Sequence, residues 1–127
     1  MEESKMNERR ERKKERKEKV KLKLVEMLKL ENAFWSYDPK AIEANRISDE
    51  NLIALTFRYL DLEEINLLYT VFSAKKIKNV WKDKLVPEGH YLYTLNRFFA
   101  WYYFGAKNPD RYLKYLETRH LNKLLSK

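Results

Sequence analysis

The stretch DLEEINLLYTVFSAKKIKNVWKDKL, residues 61–85, decides how the chain is read. In its first half Leu62, Ile65, Leu68, Tyr69 and Phe72 recur every three or four positions, which puts them on one face of an α-helix. Asp61 stands where an N-cap belongs, and Glu64, three residues on, occupies the partner position of a capping box. Ser73 is placed to cap a second helix over about 74–85, which turns Ile77, Val80, Trp81 and Leu85 inward. Two short helices joined by a tight turn have the outline of a helix-turn-helix unit.

The same grammar extends in both directions. Ser48 or Asp49 caps a helix near 49–60, with Leu52, Leu55, Tyr59 and Leu60 on its apolar face. Residues 31–38 read as a loop, and Asp38-Pro39 is a cap and first-turn pair that opens a short helix over 39–44. Pro87 interrupts the chain; a helix follows from about 88 or 90 to 104, with Gly105 as its C-cap. Asn108-Pro109 opens a final helix to about 125, with a stripe of Leu113, Leu116, Leu121 and Leu124 or Leu125. Upstream, residues 19–24 alternate as a strand would. An isolated strand has nothing to pair with, however, and Val25, Met27, Leu28 and Leu30 return to helical spacing, so a helix is predicted over roughly 10–31. Two glycines and three prolines in 127 residues supply too few turns for a sandwich or barrel. The expected fold is all-α, with a charged helical extension over 1–31 and an all-helical domain over 32–127.

Composition excludes several classes of function. The chain has no cysteine, so disulfides, thiolate metal sites and cysteine nucleophiles are excluded, and a reducing cytoplasm is the expected compartment. No apolar run approaches the roughly 18 residues of a spanning helix, and the charged N-terminus lacks the apolar segment of a signal peptide, so no membrane partner is expected. Charged residues make up 36% of the chain and glutamine is absent, a balance with a hyperthermophile tendency. His90 and His120 are isolated and lack metal-ligand spacing. Glu63 and Glu64 are adjacent on a helix and so point apart. There is no glycine-rich phosphate loop and no nucleophile motif. The expectation is a binding protein rather than an enzyme, without catalytic residues, metal, cofactor or small-molecule substrate.

The net charge of +8 favours acidic partners, DNA among them. It is concentrated in two places. Residues 1–31 hold twelve Lys/Arg against eight Glu, and read either as a solvated extension or as a basic arm along nucleic-acid phosphate. Helix 74–85 carries Lys75, Lys76, Lys78, Lys82 and Lys84 against Asp83 alone; with Asn79 these are the candidate nucleic-acid contacts, set against the plain alternative of a solvated lysine face. No arginine lies within 75–84, so phosphate tracking is favoured over sharp base readout.

A second kind of surface is aromatic. Phe34, Trp35 and Tyr37 crowd one loop, either to plug the core or to anchor a protein partner. On helix 90–104, Leu92, Leu95, Phe99 and Tyr102 share one face, and Tyr91, Thr94, Phe98 and Trp101 its neighbour. That arc is too wide for one-sided packing: the helix is central, or one side, with Phe98 and Trp101, meets another chain.

Three segments also carry a resemblance: Phe34-Trp35-x-Tyr37-Asp38, Asp61-Leu62-Glu63-Glu64-Ile65, and Asn96-Arg97-Phe98-Phe99-Ala100-Trp101-Tyr102-Tyr103-Phe104-Gly105. Over roughly residues 32–106 the chain resembles an uncharacterised family of short bacterial helical proteins. Members show an F-W-D-Y-D motif, a G-D-L-E-E-I-type turn and an N-F-W-type aromatic helix. They are often encoded beside nucleotidyltransferase toxins of the abortive-infection kind. The resemblance implies an antitoxin-like or helix-turn-helix partner role and supplies no active site to carry over. The sequence departs from the pattern at Ser36, where the family has Asp, at Leu60, where it has Gly, and in the link 85–91.

Overall fold

A computed structural model of the chain describes residues 2–34 and 47–126, and every regular element among them is helical. The elements are α1 (Glu2–Leu30), α2 (Asp49–Tyr59), α3 (Leu62–Val71), α4 (Ala74–Val80), α5 (Tyr93–Tyr102) and α6 (Pro109–Leu125). Between α4 and α5 come a π-helical turn over Trp81–Leu85 and a pair of 3-10 turns over Val86–Leu92. The all-α expectation holds. Trp35, Tyr37 and the short helix expected over 39–44 lie outside the described residues. The chain divides into two compact units, Met1–Ile77 and Lys78–Lys127.

In the first unit α1, α2 and α3 pack on one another. The N-terminal half of α1 is all solvent-exposed, and its helix-forming Lys, Arg and Glu side chains carry it back to residue 2. Its last turns bury Leu24, Val25 and Leu28. Asn32 then takes a left-handed φ of 57°, which asparagine tolerates better than most residues, and the amide of Ala33 returns to the Leu28 carbonyl at 3.0 Å. The sequence stripe understates α2: Ile53 and Phe57 are as deeply buried as Leu52, because both α1 and α3 cover this helix.

Ser48, rather than Asp49, caps α2, its Oγ accepting from the Asn51 amide at 3.2 Å. The Asp49 carboxylate is thereby left to gather three lysines: Lys17 at 2.8 Å, Lys76 at 3.3 Å and Lys21 at 3.4 Å. Partial burial pushes the Asp49 pKa up, but hydrogen bonds from Lys17 and Lys76, and their charge, outweigh it and hold the carboxyl below its ordinary value. A group depressed on folding contributes stability above its unfolded pKa of about 3.9 and loses it as pH falls through the folded value. Asp49→Asn is expected to cost about 1–2 kcal/mol at pH 7, given about 0.2–1 kcal/mol for each partly exposed pair. In urea titrations the gap between variant and parent should close as pH drops below about 4. A gap that is the same at both pH values would reject the linkage.

The capping box at Asp61 does not form. Asp61 is the backbone N-cap, but its side chain makes no capping hydrogen bond. Glu64 shares the packed side of α3 with Ile65 and Leu68; it is buried, and its Oε2 has no hydrogen-bond partner among the described residues. Spacing explains the failure, since 64, 65 and 68 fall on one helix face, and that face is the one buried. Ser73 does cap α4, its Oγ accepting from the Lys76 amide at 3.1 Å.

The second unit is organised around Trp81, which is fully buried. Its ring stacks on Phe104, with centroids 4.4 Å apart, and lies 6.3 Å from Tyr112. The indole N–H donates to Asn96 Oδ1 at 3.0 Å, and Asn96 Nδ2 donates to the Leu85 carbonyl at 2.9 Å. Ile77, Val80, Trp81 and Leu85 are all buried, as their spacing predicts. The helix expected from residue 88 or 90 begins later, at Tyr93, because Pro87 lacks a donor and Gly89 takes a φ of 57° and ψ of −118° outside the helical region. Gly105 takes a left-handed φ of 67° just past the end of α5, as expected, and the Ala106 amide returns to the Ala100 carbonyl at 2.9 Å. Asn108 caps α6 through a 3.2 Å bond from the Arg111 amide. The leucine stripe of α6 stops halfway. Leu113 and Leu116 are buried, whereas Leu121, Leu124 and Leu125 are exposed, since α6 is about 25 Å long and its end packs on none of the described residues.

Candidate interaction surfaces

The α5 helix packs through Asn96, Phe99 and Ala100. The arc beside them is uncovered: Leu95, Phe98, Trp101 and Tyr102 are all exposed, Trp101 at 59% of its surface, and Tyr91 in the preceding turn at 87%. Of the two alternatives for this helix, the structure has one side open. The exposed rings brace one another. Phe98 stacks on Tyr102 at 5.3 Å, and Trp101 lies 6.2 Å from each of them. A fixed ring cluster loses little side-chain entropy when it is covered. At its edge the Tyr93 hydroxyl hydrogen-bonds Asp110, which also receives Arg97 Nε at 3.3 Å, tying the start of α5 to the start of α6. That bond to Asp110 is the chief reason the Tyr93 pKa is raised. Of the loop aromatics, Phe34 is buried and so belongs to the core.

The six candidate nucleic-acid residues are not equivalent. Lys75 and Lys76 belong to the first unit; Lys78, Asn79, Lys82 and Lys84 belong to the second. Lys76 is already engaged, by Asp49, by Glu50 at 3.6 Å and by the Phe72 ring at 5.6 Å. Lys78 lies 5.9 Å over the Tyr112 ring. Lys75, Lys82 and Lys84 make no ion pair among the described residues. The run 74–85 is also not one regular helix, because it widens into a π turn at Trp81 and changes the angular spacing of the lysines that follow.

Sequence reasoning missed a hollow of about 300 Å³ within the second unit, lined by Asn79, Lys82, Asp83, Leu116, Arg119, His120 and Lys123. The available signal was the run Arg119, His120 and Lys123 on one side of α6; that Lys82 joins it is a tertiary fact. A hollow of similar size in the first unit is lined by Lys13, Arg16, Thr70, Val71 and Phe72. Among the described residues no group of three His, Asp or Glu side chains could hold a metal ion, and no helix is long and apolar enough to cross a membrane. No protein-family model, no curated protein and no solved structure matches the chain.

Proposed function

We propose that this chain is a non-catalytic accessory protein that binds a partner protein through the aromatic face of α5. The observation that carries the reading is the contiguous, mutually braced and exposed set Leu95, Phe98, Trp101 and Tyr102. Tryptophan and tyrosine dominate the energetic centres of protein interfaces. Apolar area left in water forgoes about 25 cal/mol for each Å² that a partner would cover. The antitoxin-like role implied by the sequence resemblance is the specific form of this proposal, with a nucleotidyltransferase toxin as partner. Affinity purification of the full chain from its native host tests it. A nucleotidyltransferase should be retained by the parent chain and lost with Trp101→Ala; retention by both chains equally, or by neither, would overturn it.

A second reading, contact with DNA through the helix-turn-helix-like pair α3 and α4 and the segment after it, is favoured by Lys75, Lys82 and Lys84, which pair with no acid among the described residues. On that reading, DNA affinity falls steeply with salt and is abolished by charge reversal at Lys75, Lys78 and Lys82. Unchanged binding in that triple variant removes it.

A further inference from the structure

We infer that the hollow between the Lys78–Leu85 segment and the second half of α6 is a binding site for a phosphate monoester. Several cations of this chain are already paired with acids. Lys17, Lys21 and Lys76 share Asp49, Arg97 meets Asp110, and Lys29 meets Glu26. The hollow differs. Lys82, Arg119 and Lys123 line it together with the His120 imidazole and the Asn79 amide, over the buried side chain of Leu116. None of its cations lies within ion-pair distance of an acid among the described residues, although Asp83 lines the same hollow. Among the described residues the Arg119 guanidinium reaches only the Tyr115 hydroxyl, at 3.4 Å.

Three cations gathered around one concavity repel one another, and an anion seated among them relieves that repulsion. The lining also selects the kind of anion. Three cations against one carboxylate leave two positive charges when His120 is neutral. A phosphate monoester carries close to two negative charges at pH 7, its second pKa being about 6. A carboxylate or a backbone phosphodiester carries one. Arg119 can offer a bidentate fork, Lys82 and Lys123 point charges, and Asn79 a neutral donor, which suits a tetrahedral group with several acceptor oxygens. No Phe, Tyr or Trp lines the hollow, so its lining is mainly charged and polar and recognition centres on the phosphate. A volume of about 300 Å³ is at the small end of ligand sites and fits a phosphate with little attached to it.

Two sources present this group: a free phosphorylated small molecule, and the 5′-phosphate end of a nucleic-acid strand. The proposal does not depend on DNA contact by the lysine-rich helix, because Arg119, His120 and Lys123 belong to α6. The test is titration of the full chain with inorganic phosphate, adenosine monophosphate, and one short oligonucleotide in 5′-phosphorylated and 5′-hydroxyl forms, all at fixed ionic strength. Binding is read by calorimetry and by the His120 ring and Asn79 side-chain NMR signals. Saturable shifts of both signals by phosphate or the mononucleotide are expected. An oligonucleotide preference of about tenfold or more for the 5′-phosphate form assigns the strand end as the source. Equal oligonucleotide affinities with mononucleotide binding intact assign the small molecule. Arg119→Ala with Lys123→Ala should weaken phosphate about tenfold or more, while the helical circular dichroism is kept and Lys107→Ala, an exposed lysine outside the hollow, leaves binding unchanged. Phosphate no more effective than chloride, or unchanged affinity in the double variant, would overturn the proposal.

Discussion

Replacing Trp81 by alanine is expected to cost about 3–5 kcal/mol and to remove cooperative folding of the second unit. Total stability of a small domain is only about 5–15 kcal/mol, so a loss of this size leaves little reserve. The side chain is fully buried, stacks on Phe104 and donates to Asn96. Its removal opens a cavity and leaves Asn96 Oδ1 without its donor. Trp81→Phe separates the two effects. It keeps most of the ring contact but strands the same acceptor, and should cost about 1–3 kcal/mol. Asn96→Ala strands the Trp81 N–H and the Leu85 carbonyl together, so the pair should be strongly non-additive in a double-variant cycle. Denaturation followed through the amide signals of α5 and α6 reads the second unit directly. A Trp81→Ala chain within about 1 kcal/mol of the parent would show that this side chain does not organise the unit.

What the sequence reveals here follows from which interactions are local. The caps at Ser48, Ser73 and Asn108 and the closure at Gly105 each involve residues a few positions apart, and each is found where the pattern puts it. Asp61 and Glu64 obey the same local rule, yet tertiary burial of the face carrying Glu64 prevails over the capping bond. The polar Asn96 lies among aromatics on the helix face that also holds Phe99; a donor waiting for it was inferable, but its identity as Trp81 was not. Likewise, the width of the apolar arc on α5 poses the choice between a central helix and an open one, and only packing decides it. The basic hollow was the least legible feature. Sequence counts lysines by segment, and residues 75–84 hold five against a single acid, whereas charge that stays available depends on which lysines find acids. Lys76 finds two, and Lys82 finds none among the described residues.

If α5 is the partner-binding face, truncating its exposed rings should separate binding from folding. Phe98→Ala and Trp101→Ala are each expected to weaken the partner complex by about 2 kcal/mol or more, roughly thirtyfold. The two losses should not add, because the rings lie 6.2 Å apart and share one contact surface. Trp101, more than half exposed, contributes little to the unit's own core, so its removal should change stability by no more than about 0.5 kcal/mol. Phe98 also meets Phe99 edge-on at 5.9 Å and should cost somewhat more. The complex should be nearly indifferent to salt, since an apolar aromatic contact has no counterions to release, whereas phosphate binding at Lys82, Arg119 and Lys123 should weaken steeply. The two surfaces can therefore be told apart in one protein. The aromatic double variant should lose the partner and keep phosphate, and the basic double variant should do the reverse. A partner that binds the aromatic double variant as tightly as the parent would place its contact elsewhere and remove α5 from the proposed function.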